Sequence, residues 1–189
     1  MYNNLSMQLS YTMAGPSGYR FWGGSFEALP GSTLAYQWYR SNTTFDWQID
    51  TAMQAWDDTA TNLQLSRSAT NNGTKFNFYP ANYNQGWLGL TTIYPCPGNS
   101  KPVGVAFQCF YGHAQIDLDI PSLNSVSDNQ KRKVAGHEAG HALGLWHPPS
   151  GSTSMMNQGL ISGGTPMTPT AYDVANTQTL YPNSSWETP

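Results

Sequence analysis

His137, Glu138, His141, Gly144 and His147 carry the chemistry in this chain, and their spacing says what that chemistry is. On a helix, positions i and i+4 lie one turn apart on the same face, so His137 and His141 can bind one ion. Glu138 follows the first of them and sits beside the metal, within reach of a bound water. Gly144 lacks a Cβ and can adopt positive φ, ending the helix and turning the chain back. His147 then returns as a third nitrogen ligand. Three protein ligands leave a fourth position open for water, which marks a catalytic rather than a structural zinc. The implied reaction is hydrolysis through a zinc-bound water, with Glu138 as general base. The chain has four histidines and three of them fall in this stretch.

Such a site needs a helix for its first three members and a turn after it. Ser127-Asp128-Asn129-Gln130 has the form of a capping box and predicts a helix over about 128–144. Lys131-Arg132-Lys133 occupies one turn of that helix and is read as its solvated face. Ile49, Met53 and Trp56 share one face of a helix near 45–60. Strands are predicted near 33–39, 75–79, 87–94, 103–107 and 114–120. After a Gly/Pro loop at 159–168, Thr170 with Asp173 starts a last helix. Earlier, Leu5, Met7, Leu9, Tyr11 and Met13 alternate with polar residues, the period of a half-buried strand. This order implies an α+β fold, a mixed twisted sheet packed on two helices with a smaller irregular part below a cleft.

The extended motif resembles the zinc-binding signature of the metzincin metalloproteases. Ser154-Met155-Met156-Asn157 is similar to the methionine turn of that clan, which puts Met156 under the metal, with Met155 as the other register. Other stretches resemble matrixins: Leu34 to Trp38, Asp50 to Leu65, Val103 to Phe107, Ile116 to Asp119 and Thr170 to Tyr181. The resemblance covers roughly 32–182. The chain departs from it at Pro148, where vertebrate matrixins usually carry serine. Gln158 stands where astacin-like and serralysin-like enzymes usually carry tyrosine.

What the resemblance implies is a metzincin-like single domain with a twisted mixed five-stranded sheet on two helices. It also implies a zinc cleft and a small irregular C-terminal subdomain ending in a helix. Residues 32–189 would form the catalytic domain, and 1–31 an N-terminal extension with an extra strand. The activity implied is zinc-dependent endopeptidase. Substrate would lie extended against an edge strand formed by Val103, Gly104, Val105, Ala106 and Phe107. A pocket walled by Gly159 to Met167 would set preference. Matrixins hold a second, structural zinc partly through histidines at positions where this chain has Val105 and Gln115, and His113 is offset from the pattern. One catalytic zinc is therefore expected. Calcium at Asp117 and Asp119 is a family option that nothing else in the sequence supports.

Composition bounds the rest. At 189 residues the chain suits one domain. A net charge of −3 with only 10% charged residues argues against a nucleic-acid partner. No apolar run approaches the ~20 residues of a membrane span, and residues 1–30 show no charged-then-apolar leader. The polar, aromatic, weakly charged style is that of a secreted, extracellular enzyme, expected as a monomer acting on proteins or peptides. Cys96 and Cys109 flank a Pro/Gly-rich loop; a disulfide there would contribute about 2–3 kcal/mol. The rival is a latency thiol capping the zinc, but no matching pro-segment motif is present, so the disulfide is favoured. A glycan-binding module using Trp22, Trp38, Trp87 and Trp186, or an inactive regulatory homologue, would not require Glu138.

Overall fold

The computed structural model of the chain describes residues 24–26, 33–38, 45–59, 61, 64–68, 75–103, 106–158 and 166–181. It describes the backbone alone at 24–26, 33–38, 95–103 and 106–112. The alternating strand expected over residues 5–13 lies outside the described residues, as do Trp22 and Trp186.

Ten elements follow one another: β1 (Gly24–Phe26), β2 (Thr33–Trp38), α1 (Asp46–Asp57), β3 (Gln64–Arg67), β4 (Phe76–Ala81), β5 (Gly89–Val103), β6 (Ala106–Asp119), α2 (Ile120–Asn124), α3 (Asp128–Ala142) and α4 (Ala171–Leu180). The fold is mixed α+β, as expected. Its sheet has six strands among the described residues rather than five, in the order β1-β6-β4-β2-β3 with β5 added on β6. Only β5 runs antiparallel; the other pairings are parallel. β5 pairs with β6 alone, so it forms an edge of the sheet.

One expected strand is not there. Val103 pairs with Ala106 and Pro102 with Phe107 across the β5–β6 ribbon. The chain therefore reverses within 103–107, with Gly104 and Val105 outside the described residues. The apolar run was read as one strand because each arm of a hairpin end has the same composition as a strand interior. The edge strand is β5, and its first half, Gly89 to Tyr94, pairs in regular register with His113 to Leu118.

The core lies between the sheet and two helices. Phe76 and Phe78 on β4 and Ala114, Ile116 and Leu118 on β6 are fully buried at period two. From the other side, α1 contributes Ile49, Met53 and Trp56, each 1% exposed. Each such side chain contributes about 1.5–3 kcal/mol of hydrophobic stabilisation. α3 runs through the middle and is buried along its whole second half, Lys133 to Ala142. Ala135, Gly136, Ala139, Gly140 and Ala142 keep its girth small enough for neighbours on every side. Trp56 Nε1 donates to Gly136 O at 2.9 Å, locking α1 to it. The capping box at Ser127 and Gln130 is formed as expected. α2 had no sequence signal beyond Pro121; Asp119 caps it by accepting from Ser122 N at 3.2 Å.

Candidate functional site

α3 carries His137 and His141 on one face, their ring centroids 4.7 Å apart. The helix then stops in a two-bond reversal. Gly144 N donates to His141 O at 2.9 Å and Leu145 N to Gly140 O at 3.0 Å, with Gly144 at φ 102°. That is the Schellman arrangement, which needs a left-handed residue after the cap. The turn delivers His147 back over the helix, where its Nε2 comes within 3.2 Å of His141 Nε2. Among the described residues, His137, His141 and His147 place their ligand atoms within 4.8 Å of one another.

Whether these residues suit a zinc ion can be tested on their hydrogen bonds. His141 Nδ1 lies 2.8 Å from Leu145 O, and His137 Nδ1 lies 3.1 Å from Met155 O. A carbonyl only accepts, so each Nδ1 carries the hydrogen and each Nε2 keeps a lone pair for metal. Burial pushes all three imidazoles below their ordinary pKa: His137 well below, His141 to about 4, His147 less far. They are therefore neutral near pH 7, the state that ligates. Two nitrogens bound to one tetrahedral zinc stand about 3.3 Å apart, close to the 3.2 Å between His141 and His147. The donor set fits.

Gly144 invites a first prediction. An alanine there would hold a left-handed conformation at a cost of roughly 1–2 kcal/mol. Gly144→Ala should lower the stability of the metal-free protein by that amount. It should also weaken zinc binding about tenfold, because the turn aims both His147 and the Leu145 carbonyl. Chemical denaturation and a zinc competition titration check both parts.

Glu138 lies on the strand side of the histidines. It is 7% exposed, and burial pushes its carboxyl up to about 7 against the hydrogen bonds from Thr91 that lower it. Thr91 Oγ1 sits 2.7 Å from Glu138 Oε2 and 2.9 Å from Glu138 O. Two residues earlier, a Cβ on Gly89 would stand 2.7 Å from Glu138 Cγ and 2.9 Å from Val134 Cγ1. The strand can pass this close to α3 only because Gly89 has none. The sequence reading named neither residue, since a threonine and a glycine in a predicted strand look ordinary until the opposing helix is known.

Below the metal face, Ser154 to Met156 form a tight turn. A Cβ on Gly140 would overlap Met156 Sδ, so Met156 packs into the notch that this glycine leaves on α3. Met155 packs instead against Gly136. Asp173, 0% exposed, ties this turn to α4. It accepts from Ser154 Oγ, from Met155 N at 2.9 Å, and from Thr170 N and Oγ1 at 2.9 Å each. Thr170 and Asp173 form the expected capping box, but the clamp on the methionine turn had no local signal.

The other expected site residues fall as follows. Cys96 and Cys109 lie on the β5–β6 ribbon with their side chains outside the described residues, and residues 159–165 of the expected pocket wall are likewise outside them. Asp119 accepts from Tyr83 N at 2.8 Å, Asn84 N at 2.9 Å and Ser122, and Asp117 accepts from Tyr83 Oη at 2.7 Å and Gln115. Protein donors thus occupy both carboxylates once read as a calcium option. His113 stacks on Tyr94, their centroids 4.4 Å apart. Lys133 is a correction: it is 3% exposed, not on a solvated face. Lying four residues before His137, it shares the inward stripe of α3.

Glu138 and the three histidines open into a cavity of about 390 Å³, lined also by Trp87, Leu88, Gly89, Leu90, Lys133 and Gln158. β5 forms one rim, with Leu90 47% exposed along it.

Comparison with known proteins agrees with this geometry. The matrixin family model matches residues 32–182. Among solved structures, the chain is similar in fold to myroilysin at 14% identity and a TM-score of 0.50, over 82% of this chain and 95% of that one. It is similar also to high choriolytic enzyme 1, a hatching enzyme zinc-protease from the medaka fish Oryzias latipes. There the identity is 11% and the TM-score 0.52, over 83% of this chain and 94% of that one. No curated protein matches the chain.

Proposed function

The chain belongs to the matrixin family and is a zinc metalloendopeptidase, and from that premise we propose that His137, His141 and His147 hold one catalytic zinc while Glu138 acts as general base. The observation that carries this reading is the convergence of three neutral imidazoles with a buried carboxylate beside them, the Nδ1 hydrogens of His137 and His141 being held by carbonyls.

Zinc held there would supply Lewis acidity to water and to a peptide carbonyl. The remaining chemistry belongs to the chain. Thr91 holds Glu138 Oε2, which leaves Oε1 as the atom that takes a proton from the attacking water and passes it to the departing amine. A carboxyl set near 7 by burial is matched to that two-way transfer at neutral pH. The edge of β5 beside Gly89 and Leu90 offers backbone groups to an extended peptide, which gives grip with little dependence on sequence. Met156 fills the space beneath the two helical histidines and keeps their rings in register.

Residues 32–189 are taken as the catalytic unit, with 1–31 as an extension of which β1 joins the sheet. Secretion is part of the proposal, supported by the low content of charged residues, 10%. No described helix is long and apolar enough to cross a membrane. A Cys96–Cys109 disulfide is proposed for an oxidising compartment; Cys109 pairs in register with Ser100, four residues beyond Cys96.

The test is cleavage of a denatured protein by the zinc-loaded chain. A chelator should abolish cleavage, stoichiometric zinc should restore it, and elemental analysis should find about one zinc per chain. Cleavage that survives complete removal of metal would overturn the reading.

A further inference from the structure

We propose that Thr91 is a positioning residue that couples substrate pairing on β5 to Glu138, so that a peptide adding as a strand raises its own turnover rate as well as its affinity. The inference rests on the endopeptidase reading and says how substrate backbone contacts act within it. Leu88 O accepts from Asp119 N at 3.1 Å, and the register runs unbroken from Gly89 opposite Leu118 to Tyr94 opposite His113. In an antiparallel pair, successive residues turn their N–H and C=O groups alternately toward the partner strand and away from it. Leu90 and Thr92 therefore bond toward β6, whereas Gly89, Thr91 and Ile93 turn their backbone groups to the free edge. Those are the groups with which an added strand pairs.

Two of these residues also meet the base from their side-chain face. Thr91 Oγ1 lies 2.7 Å from Glu138 Oε2 and 2.9 Å from Glu138 O. A hydroxyl has one hydrogen to give, and an ionised carboxylate accepts it more strongly than a backbone carbonyl does. The bond to Oε2 fixes one oxygen of the base, and with it the direction in which Oε1 points. Gly89, lacking a Cβ, lets the strand lie against Glu138 Cγ and Val134 Cγ1. Among the described residues β5 is held by β6 on one side only. A peptide paired on the other side would hold the backbone of Thr91 from both. Binding energy gained away from the reacting bond would then be spent on aligning the base, which raises kcat as well as lowering KM.

The experiment compares a peptide that spans the cleft with analogues in which an ester replaces one flanking amide, position by position. An ester keeps the side chains but lacks the N–H that pairs with a strand carbonyl. In wild type, replacement at one position should lower kcat about three- to tenfold, the worth of one neutral hydrogen bond. Thr91→Val should lower kcat for the parent peptide about ten- to a hundredfold, the range of a hydrogen bond to a charged group. It should also abolish the effect of the ester on kcat while its effect on KM remains. Thr91→Ser restores the hydroxyl and should restore the effect on kcat. A ratio of two kcat values on one preparation is insensitive to the folded fraction, so loss of stability would not imitate the result. Thr91→Ala, read by the same ratio, serves if the valine protein does not fold. Zinc-loaded Glu138→Gln protein, with and without Thr91→Val, should bind the parent peptide equally by fluorescence anisotropy. Esters that change only KM in wild type, or an effect on kcat that persists in Thr91→Val, overturn the proposal and leave the peptidase reading intact. So does a serine variant that behaves as valine, or weaker binding by the double variant. No cleavage of any peptide by the zinc-loaded wild type would sink both.

Discussion

Glu138→Gln should keep its zinc and cut peptides at least a thousandfold more slowly than wild type. Glutamine has the shape of glutamate, and it can still accept the Thr91 hydroxyl bond seen at 2.7 Å. The proposed ligands His137 and His141 keep their carbonyl partners, so metal content should not change. What disappears is the oxygen proposed to take and return a proton, and general acid–base catalysis contributes on the order of 10²–10⁴ in rate. The loss should fall on kcat, with KM little altered, because the carboxylate acts in the transition state. A variant that lost zinc with its activity would instead assign Glu138 a structural part in the centre.

The same substitution has an opposite effect on the metal-free protein. In the folded chain the Glu138 carboxyl titrates near 7, against an ordinary value of 4.5, because burial penalises its ionised form. The folded state therefore binds this proton more tightly than the unfolded one. The stability this provides is full below about pH 4.5 and is lost as pH rises through about 7. Glutamine, neutral throughout, suffers no such loss. In the presence of chelator, Glu138→Gln should thus be more stable than wild type at pH 8, by up to about 3 kcal/mol. The difference should vanish near pH 4. The titration of the histidines is common to both proteins and cancels. A residue that stabilises the apo fold when neutralised, yet is required for turnover, exchanges stability for function at the site where it acts.

Some of this was legible in the sequence, and the reason differs residue by residue. The histidine cluster could be read because helix geometry alone places His137 beside His141, and a glycine at 144 suffices to bring His147 round. The capping boxes at Ser127 and Thr170 are equally local, and both formed. By contrast, Thr91, Gly89 and Asp173 act on groups at least 18 residues away in the chain, so only the packed structure can reveal them. Lys133 is different again. Its spacing of four from His137 pointed it inward, but its charge outweighed its position in the reading. The misplaced edge strand shows a third kind of failure. Composition marks strand-like residues but not where a long ribbon reverses, and β5 and β6 together run from Gly89 to Asp119.

Asp173→Ala should be the most destabilising single change away from the metal, costing about 3–5 kcal/mol. The carboxylate is wholly buried and accepts from four donors: Ser154 Oγ, Met155 N, Thr170 N and Thr170 Oγ1. Alanine leaves the two backbone N–H groups without this acceptor, and a buried unsatisfied group costs about 1–3 kcal/mol. The damage should also travel to the zinc. Met155 gives its N–H to Asp173 and its carbonyl to His137 Nδ1, so one residue links the clamp to a ligand's orientation. Loss of such an outer partner typically weakens metal affinity 10- to 100-fold. Asp173→Asn should fall short of full rescue, because its amide NH₂ would face N–H and O–H donors where an oxygen is needed. Thermal unfolding with and without zinc separates the two effects. If the clamp orients His137, zinc should raise the melting temperature of the variant by less than it raises that of wild type. An equal increment in both proteins would confine Asp173 to holding α4 in place.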